Sequence, residues 1–135
     1  MKAQIFVNLA VNNLEWSSNF YSEMGFTVNP TFSDDSAKCM VWSEEIFLMI
    51  MTKEKFSTFS TKPKKKKKNY VAGIYALSVE SVDHMHGIVD KALKAGGKEP
   101  KPLQDHGFMQ LRTVEDADGH TWEVFFMDMS QFPTK

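Results

Sequence analysis

A glutamate near the end of the chain, Glu123, is the residue whose type and position most invite chemistry. It follows the turn signal Asp118-Gly119 and lies in a run rich in aromatic and β-branched residues, at 121–126. This pattern is typical of the second strand of a hairpin. Because a carboxylate inside a strand is costly to bury without a partner, Glu123 either faces a wet cavity where it does chemistry or is the remnant of such a site.

The elements that must position this residue occur twice along the chain. In the first half, alternating apolar residues predict a strand over Gln4–Val11, and Asn12-Asn13 can cap a helix that ends at Gly25. Three short strands are predicted after it, at 26–32, 37–43 and 46–52. The first half is therefore predicted as strand, helix and three strands.

The second half repeats this order. A strand is predicted over 71–79, and Ser81 caps a helix through about Ala95 that Gly96-Gly97 ends. Strands are predicted near 98–103, 108–114 and 121–127. An internal repeat of this kind defines the architecture, and we expect that neither half has enough core to stand alone.

Composition limits the class of protein. The 135 residues are 42% hydrophobic, enough for one compact domain, and 16 Lys and Arg against 17 Asp and Glu leave a formal net charge of −1. No global charge points to nucleic acid or membrane, and the single Cys39 excludes an internal disulfide. The apolar start is interrupted by asparagines, and we expect it to be neither a leader nor a membrane span. We expect a cytoplasmic protein.

The two halves are joined at 54–69 by a segment that contains the lysine-rich run Lys62–Lys68. A block of like charges is typical of a solvated linker. The alternative is an arm that contacts nucleic acid or an anionic surface, although the run lacks interleaved aromatic residues and a recognition helix. We therefore expect neither nucleic acid nor membrane among the partners.

The repeat and its motifs resemble the vicinal oxygen chelate superfamily, which includes glyoxalases, extradiol dioxygenases, and fosfomycin and bleomycin resistance proteins. The resemblance covers essentially the whole chain. It rests on Val11-Asn12-Asn13-Leu14, Phe20-Tyr21, Met24-Gly25-Phe26, the segment Tyr75–Val79, and Glu115–Gly119 followed by Glu123. It implies an α+β fold in which two βαβββ modules, about 1–53 and 70–129, form a curved mixed sheet around a cleft. It also implies a homodimer.

The family's metal-binding members usually place one ligand on the first and last strand of each module. At the matching positions this chain has Phe6, Met49, Ile74 and Glu123, so only the last position keeps a ligand type. Divalent transition metals need three or four N, O or S ligands. We therefore expect no metal and no other cofactor; a divalent metal in a rearranged ligand set is the alternative.

The remaining histidines do not complete a metal site. His84 and His86 are two positions apart on a predicted helix and point to different faces, and His120 follows a turn. We expect all four histidines on the surface. His106 is the best exception, because its loop borders the cleft in the resembling family and histidine titrates near neutrality.

A cleft without metal is predicted to bind a hydrophobic or aromatic small molecule, as resistance proteins do. Apolar and methionine side chains would line it, and a few polar groups would orient the ligand. The predicted ligand-binding residues are Phe6, Asn8, Phe47, Met49, Ile74, Gln110, Arg112, Glu123 and Phe125. Glu123 is the candidate catalytic acid or base, unless Arg112 pairs with it. The alternative function is a metal-dependent lyase of the glyoxalase kind or a dioxygenase.

Overall fold

The repeated order of elements is confirmed by the structure, a computed structural model that describes residues 2–62 and 72–131. The chain forms two compact units, one for each half of the repeat. Each unit contains a four-stranded mixed sheet, so the predicted α+β class is also confirmed. None of the helices in the described residues is long and apolar enough to cross a membrane.

The first unit contains β1 (Ile5–Val11), α1 (Leu14–Met24), β2 (Thr27–Asn29), β3 (Ala37–Val41), β4 (Ile46–Thr52) and α2 (Lys53–Phe59). Its strand order is β1-β4-β3-β2, with β1 parallel to β4 and the other neighbours antiparallel. Helix α1 begins where the Asn13 side chain accepts a hydrogen bond from the Trp16 amide, 2.9 Å away. It ends at Gly25, whose φ of 125° favours a residue without a Cβ.

One face of the first sheet forms the core of this unit with α1, which packs against β3 and β4. This face carries Leu9 and Val11 from β1 and Leu48 and Ile50 from β4, all buried. The helix contributes the buried residues Phe20, Tyr21 and Met24. The alternation predicted for β1 is therefore correct, and its other residues lie on what we call the face opposite α1.

The second unit contains β5 (Ile74–Ser78), α3 (Val82–Lys94), β6 (Gln104–Asp105), β7 (Met109–Glu115) and β8 (Thr121–Met127). Its strand order, β5-β8-β7-β6, repeats that of the first unit, and β5 is parallel to β8. Ser81 caps α3 by accepting a hydrogen bond from the His84 amide at 3.0 Å. The helix packs against β7 and β8.

The predicted strand at 98–103 is wrong for most of its length. Pro100 and Pro102 lack the amide hydrogen that a strand donates to its neighbour, so a continuous ladder cannot form there. What remains is an isolated bridge between Lys98 and Glu115 and the two-residue strand β6. Likewise, β2 stops before Pro30, which begins a short 3₁₀ turn to Phe32.

The predicted linker at 54–69 does not begin as an irregular segment. Helix α2 occupies Lys53–Phe59, and it starts where the Thr52 hydroxyl accepts a hydrogen bond from the Lys55 amide at 3.2 Å. The cap and the contacts of α2 with β1 and β4 stabilise this short helix, which precedes the lysine-rich run. The lysines at 64–68 lie outside the described residues.

Candidate functional site

The face opposite α1 carries an aromatic pair on its two parallel strands. Phe6 of β1 lies beside Phe47 of β4, and the two rings stack with centroids 4.4 Å apart and planes 8° from parallel. Phe6 nevertheless keeps 48% of its surface exposed. Asn8 and Met49 form the next pair along these strands on the same face. Four of the predicted binding residues are therefore together on one sheet surface.

The same face continues across β3, where Cys39 is buried and Val41 is half-buried. Cys39 pairs with Met49 and Val41 with Phe47 in the antiparallel register. Cys39 is 2% exposed, and burial raises the pKa of its thiol because the thiolate is poorly solvated there. Phe6 and Asn8 are thus exposed at the β1 edge of this face, whereas Cys39 on β3 is buried.

A cavity of about 560 Å³ opens at the end of this face near the β3–β4 turn. Phe47 and Val41 form part of its apolar lining, and Asn29 and Ser43 add polar groups. At its rim the Lys2 ammonium lies 3.3 Å from a Glu45 carboxylate oxygen. Both side chains are well exposed, so this ion pair contributes little stability. The volume is within the range of small-molecule sites.

Glu123 lies on β8 in the second sheet, half-buried. Its neighbours across the strands are Ala76 on β5 and Thr113 on β7. Phe125, two positions along β8, faces the same way as Glu123 and pairs with Leu111. Ile74 at the start of β5 also shares this surface, and 57% of it is exposed. We call this surface the face opposite α3.

Two predicted binding residues, Gln110 and Arg112, lie on the other side of the second sheet from Glu123. The register aligns Thr113 with Glu123 and Arg112 with Val124, so side-chain alternation directs Arg112 and Gln110 towards α3. The prediction that they orient a ligand beside Glu123 is therefore wrong. It failed because the sequence does not state which residue of β7 stands opposite Glu123.

Arg112 instead forms a polar cluster at the edge of α3. Its Nε and Nη2 donate to the two carboxylate oxygens of Glu99 at 2.8 and 3.0 Å, and Nη1 lies 2.9 Å from Asp90 Oδ1 and 3.0 Å from His86 Nδ1. The hydrogen bonds to Glu99, then to Asp90, raise the pKa of the guanidinium although its own burial opposes this. His86 is therefore half-buried against Arg112 and not a free surface residue. The cluster joins α3 to its sheet.

The Asp-x-Asp-Gly motif before Glu123 is explained by the geometry of the β7–β8 turn. Asp116 is buried, and one of its carboxylate oxygens accepts hydrogen bonds from the Asp118 and His120 amides, both at 2.9 Å. Gly119 takes a φ of 86°, which residues with a Cβ rarely adopt. The motif thus shapes the hairpin that holds Glu123 in register.

The four positions that the resemblance assigns to metal ligands do not supply the donor atoms of a metal site here. Phe6 and Ile74 supply only carbon atoms, Met49 supplies a thioether, and Glu123 supplies the only carboxylate. The residues paired with Glu123 on the neighbouring strands are Ala76, which has only a methyl group, and Thr113, which has one hydroxyl. These groups do not complete a transition-metal site. Within residues 2–62 and 72–131, no three His, Cys, Asp or Glu side chains are grouped closely enough to hold a metal.

One residue of this surface was not among the predictions. Thr113 is 3% exposed, and its hydroxyl has no hydrogen-bond partner among the described residues. Its position directly across from Glu123 depends on the β7–β8 register. No residue type or spacing in the sequence states this register, so no sequence signal pointed to Thr113.

Solved structures share this fold. The chain is 21% identical to a hypothetical protein from S. aureus, with 93% of this chain and 94% of that chain covered and a TM-score of 0.76. A glyoxalase-related enzyme from Fulvimarina pelagi is 19% identical over 93% and 88% of the two chains, with a TM-score of 0.76. The fosfomycin resistance protein FosX from Mesorhizobium loti is 14% identical over 97% of both chains, with a TM-score of 0.69.

No curated protein matches the chain. The family is nevertheless clear from the sequence, because a model of the Glyoxalase/Bleomycin resistance protein/Dioxygenase superfamily matches residues 4–124. That span includes every strand of both units except the end of β8. With its repeated βαβββ units and this match, the chain belongs to the Glyoxalase/Bleomycin resistance protein/Dioxygenase superfamily.

Proposed function

We propose that this protein binds a hydrophobic or aromatic small molecule without a metal ion, as a sequestering protein of the antibiotic-resistance type does. The proposal rests on the stacked rings of Phe6 and Phe47. About half of the surface of Phe6 remains exposed to solvent. A planar ligand that covers the exposed ring gains aromatic contact and removes apolar surface from water.

The surroundings of this pair suit a small molecule. Met49 lies in the next row of the same face, and its flexible thioether adapts to ligands of different shape. Asn8 is exposed beside it, and its amide makes only a long hydrogen bond, 3.4 Å, to the Phe6 carbonyl. Because this bond is weak, the amide can exchange it for a ligand at little cost.

The names of related proteins support the same class of function. One relative by fold is described as a fosfomycin resistance protein, and the superfamily description includes bleomycin resistance proteins. In our proposal the second unit binds on its own face opposite α3, where Glu123 orients a ligand and Ile74 and Phe125 add apolar contacts. Glu123 also has the chemistry of a general acid or base, but ligand binding requires no reaction.

We further propose that the protein is a cytoplasmic homodimer. Ile5 and Ile74, on edge strands β1 and β5, each expose 57% of their surface. Apolar residues on an unpaired strand edge favour association with another chain, and a two-fold dimer is the commonest arrangement. A single free cysteine is compatible with a reducing compartment.

The proposal is tested by ligand-induced stabilisation. Protein dialysed against EDTA is screened by thermal shift with aromatic and cationic antibiotics, bleomycin among them. A ligand at 100 times its Kd stabilises the native state by about 2.7 kcal/mol, which raises the Tm by several degrees. We expect at least one such ligand, and we expect Phe6→Ala to weaken its binding about tenfold because half of the stacked platform is lost.

Phe32→Ala is the matched control, since Phe32 is also exposed but lies in the 3₁₀ turn after β2. It should leave the Kd unchanged. A panel in which no compound raises the Tm contradicts the proposal. Binding that appears only after Zn²⁺, Ni²⁺, Mn²⁺ or Fe²⁺ is added, with stoichiometric metal retained on dialysis, would instead support the lyase or dioxygenase alternative.

A further inference from the structure

The hydroxyl of Thr113 lies buried in the second sheet without a hydrogen-bond partner among the described residues. A buried hydroxyl in this state costs stability, and most such groups in native proteins are paired. Threonine at this position therefore requires a reason beyond packing, because valine has the same shape and no polar atom to desolvate.

The position of Thr113 supplies a reason. It stands directly across from Glu123 on the face opposite α3, and paired residues on neighbouring antiparallel strands have Cβ atoms about 5 Å apart. No side chain in the described part of the chain donates a hydrogen bond to the Glu123 carboxylate. An acceptor-only carboxylate and an unpaired hydroxyl thus lie side by side.

The groups around this pair are small or apolar. Ala76 lies on the other side of Glu123 and carries only a methyl group. Phe125 and Leu111 form the next row in one direction along the strands. The surface therefore presents one polar point next to an apolar patch, and arginine and lysine are absent from these five positions.

We propose that Thr113 and Glu123 together bind a primary ammonium group of the ligand. The ammonium has three donors, of which the carboxylate of Glu123 accepts one or two and the Thr113 oxygen accepts another. Hydrogen bonds between opposite charges are about twice as strong as neutral ones. The hydrocarbon part of the ligand then lies over Phe125 and Leu111. This inference rests on the proposed function and adds the class of ligand, an aromatic or aliphatic primary amine.

The experiment compares two probes that differ in this group alone. Naphthalen-1-ylmethanamine carries the ammonium, and 1-(methoxymethyl)naphthalene is a neutral analogue that donates no hydrogen bond. Both are titrated into the full-length protein and followed by ligand-observed NMR. We expect the amine to bind at least tenfold more tightly than the ether.

Two variants test whether Glu123 and Thr113 cause the preference for the amine over the ether. Glu123→Gln should abolish it, and Thr113→Val should lower the affinity for the amine at least threefold while leaving the ether unaffected. Glu23→Gln and Thr27→Val, at exposed positions in the first unit, serve as controls and should bind both probes as the wild type does. Thr113→Val should also raise the Tm of the free protein, because it removes an unpaired buried hydroxyl.

The outcomes separate this inference from the proposed function. Equal affinity for the two probes would overturn the ammonium site and leave the binding function, which the antibiotic panel tests separately, intact. An amine preference that survives Thr113→Val would remove Thr113 from the site and so overturn the inference as stated. If neither probe binds nor any compound of the antibiotic panel, both proposals fail.

Discussion

Arg112 and Glu123 show how one register decides the role of a charged residue. Both are on neighbouring strands of the same sheet, and their types alone favour an ion pair. The β7–β8 register instead aligns Arg112 with Val124, and the guanidinium pairs with Glu99 on the opposite side of the sheet. Glu123 therefore lacks this partner, which leaves its carboxylate available to a ligand.

The Arg112 cluster should contribute measurably to stability. Arg112→Met leaves Glu99, whose side chain is 25% exposed, without its two hydrogen bonds, and we expect the free energy of unfolding to fall by about 2 kcal/mol. Asp90 is 60% exposed and should account for little of this loss. Urea denaturation measures the effect.

Arg112→Lys is the informative comparison, because lysine keeps the charge but cannot make the two parallel bonds to Glu99. It should lose about half as much stability. Lys94→Met, in the last turn of α3, is the control and should change stability by less than about 0.5 kcal/mol. If Arg112→Met also lowers the free energy of unfolding by less than about 0.5 kcal/mol, the cluster does not hold α3 to its sheet.

The helices and strands mostly follow from local signals. Asn13 and Ser81 cap α1 and α3, and both helices begin and end within a residue of their predicted bounds. The predicted β8 agrees with its observed bounds as well. Failures occur where one residue type opposes the pattern, as the two prolines do at 100 and 102, or where a seven-residue helix depends on tertiary contacts.

Two glycines should respond in opposite ways to the same substitution. Gly25 ends α1 with a φ of 125°, and a Cβ there would lie 3.2 Å from Cζ3 of Trp42. We expect Gly25→Ala to lower the free energy of unfolding by about 1–2 kcal/mol. Gly87 lies inside α3, and a Cβ added there would meet no atom within 4 Å beyond its own stretch of helix. Gly87→Ala should raise the stability by about 0.5–1 kcal/mol, because alanine favours the helix.

Both changes are read by chemical denaturation of the full chain, with helix content followed by circular dichroism. Each variant serves as the control for the other, since a non-specific effect of adding a methyl group would have the same sign in both. Stabilisation by Gly25→Ala would mean that the turn after α1 does not need a positive φ.

The two units repeat one architecture, but their exposed surfaces differ in chemistry. The face opposite α1 presents an aromatic pair and a methionine, whereas the face opposite α3 presents a carboxylate and a buried hydroxyl. A repeated fold can keep the residues that face its helices and change residues on the other face, some of which, such as Cys39 and Leu111, are also buried. Superfamily membership therefore defines the fold of this chain without defining its ligand.

The proposed dimer predicts the molecular mass in solution. One chain has a mass of 15.4 kDa, so light scattering after gel filtration should give about 31 kDa. Lysine in place of Ile5 or Ile74 places a charge on an exposed strand edge and should shift the mass towards that of one chain. Phe59→Lys, at an exposed apolar residue of α2, should leave the dimer intact. A single-chain mass for the wild type at every concentration contradicts the dimer.

Periodicity, caps and turn residues were sufficient for the repeat and for the helix-facing residues of β1. These features depend on residue type and local spacing, which can be read directly from the sequence. The partner of Arg112, the separation of Arg112 from Glu123, and the lack of a partner for the Thr113 hydroxyl among the described residues depend on how two strands are aligned. A shift of one residue in that register would exchange the faces of β7, so only the tertiary structure decides which side chains meet.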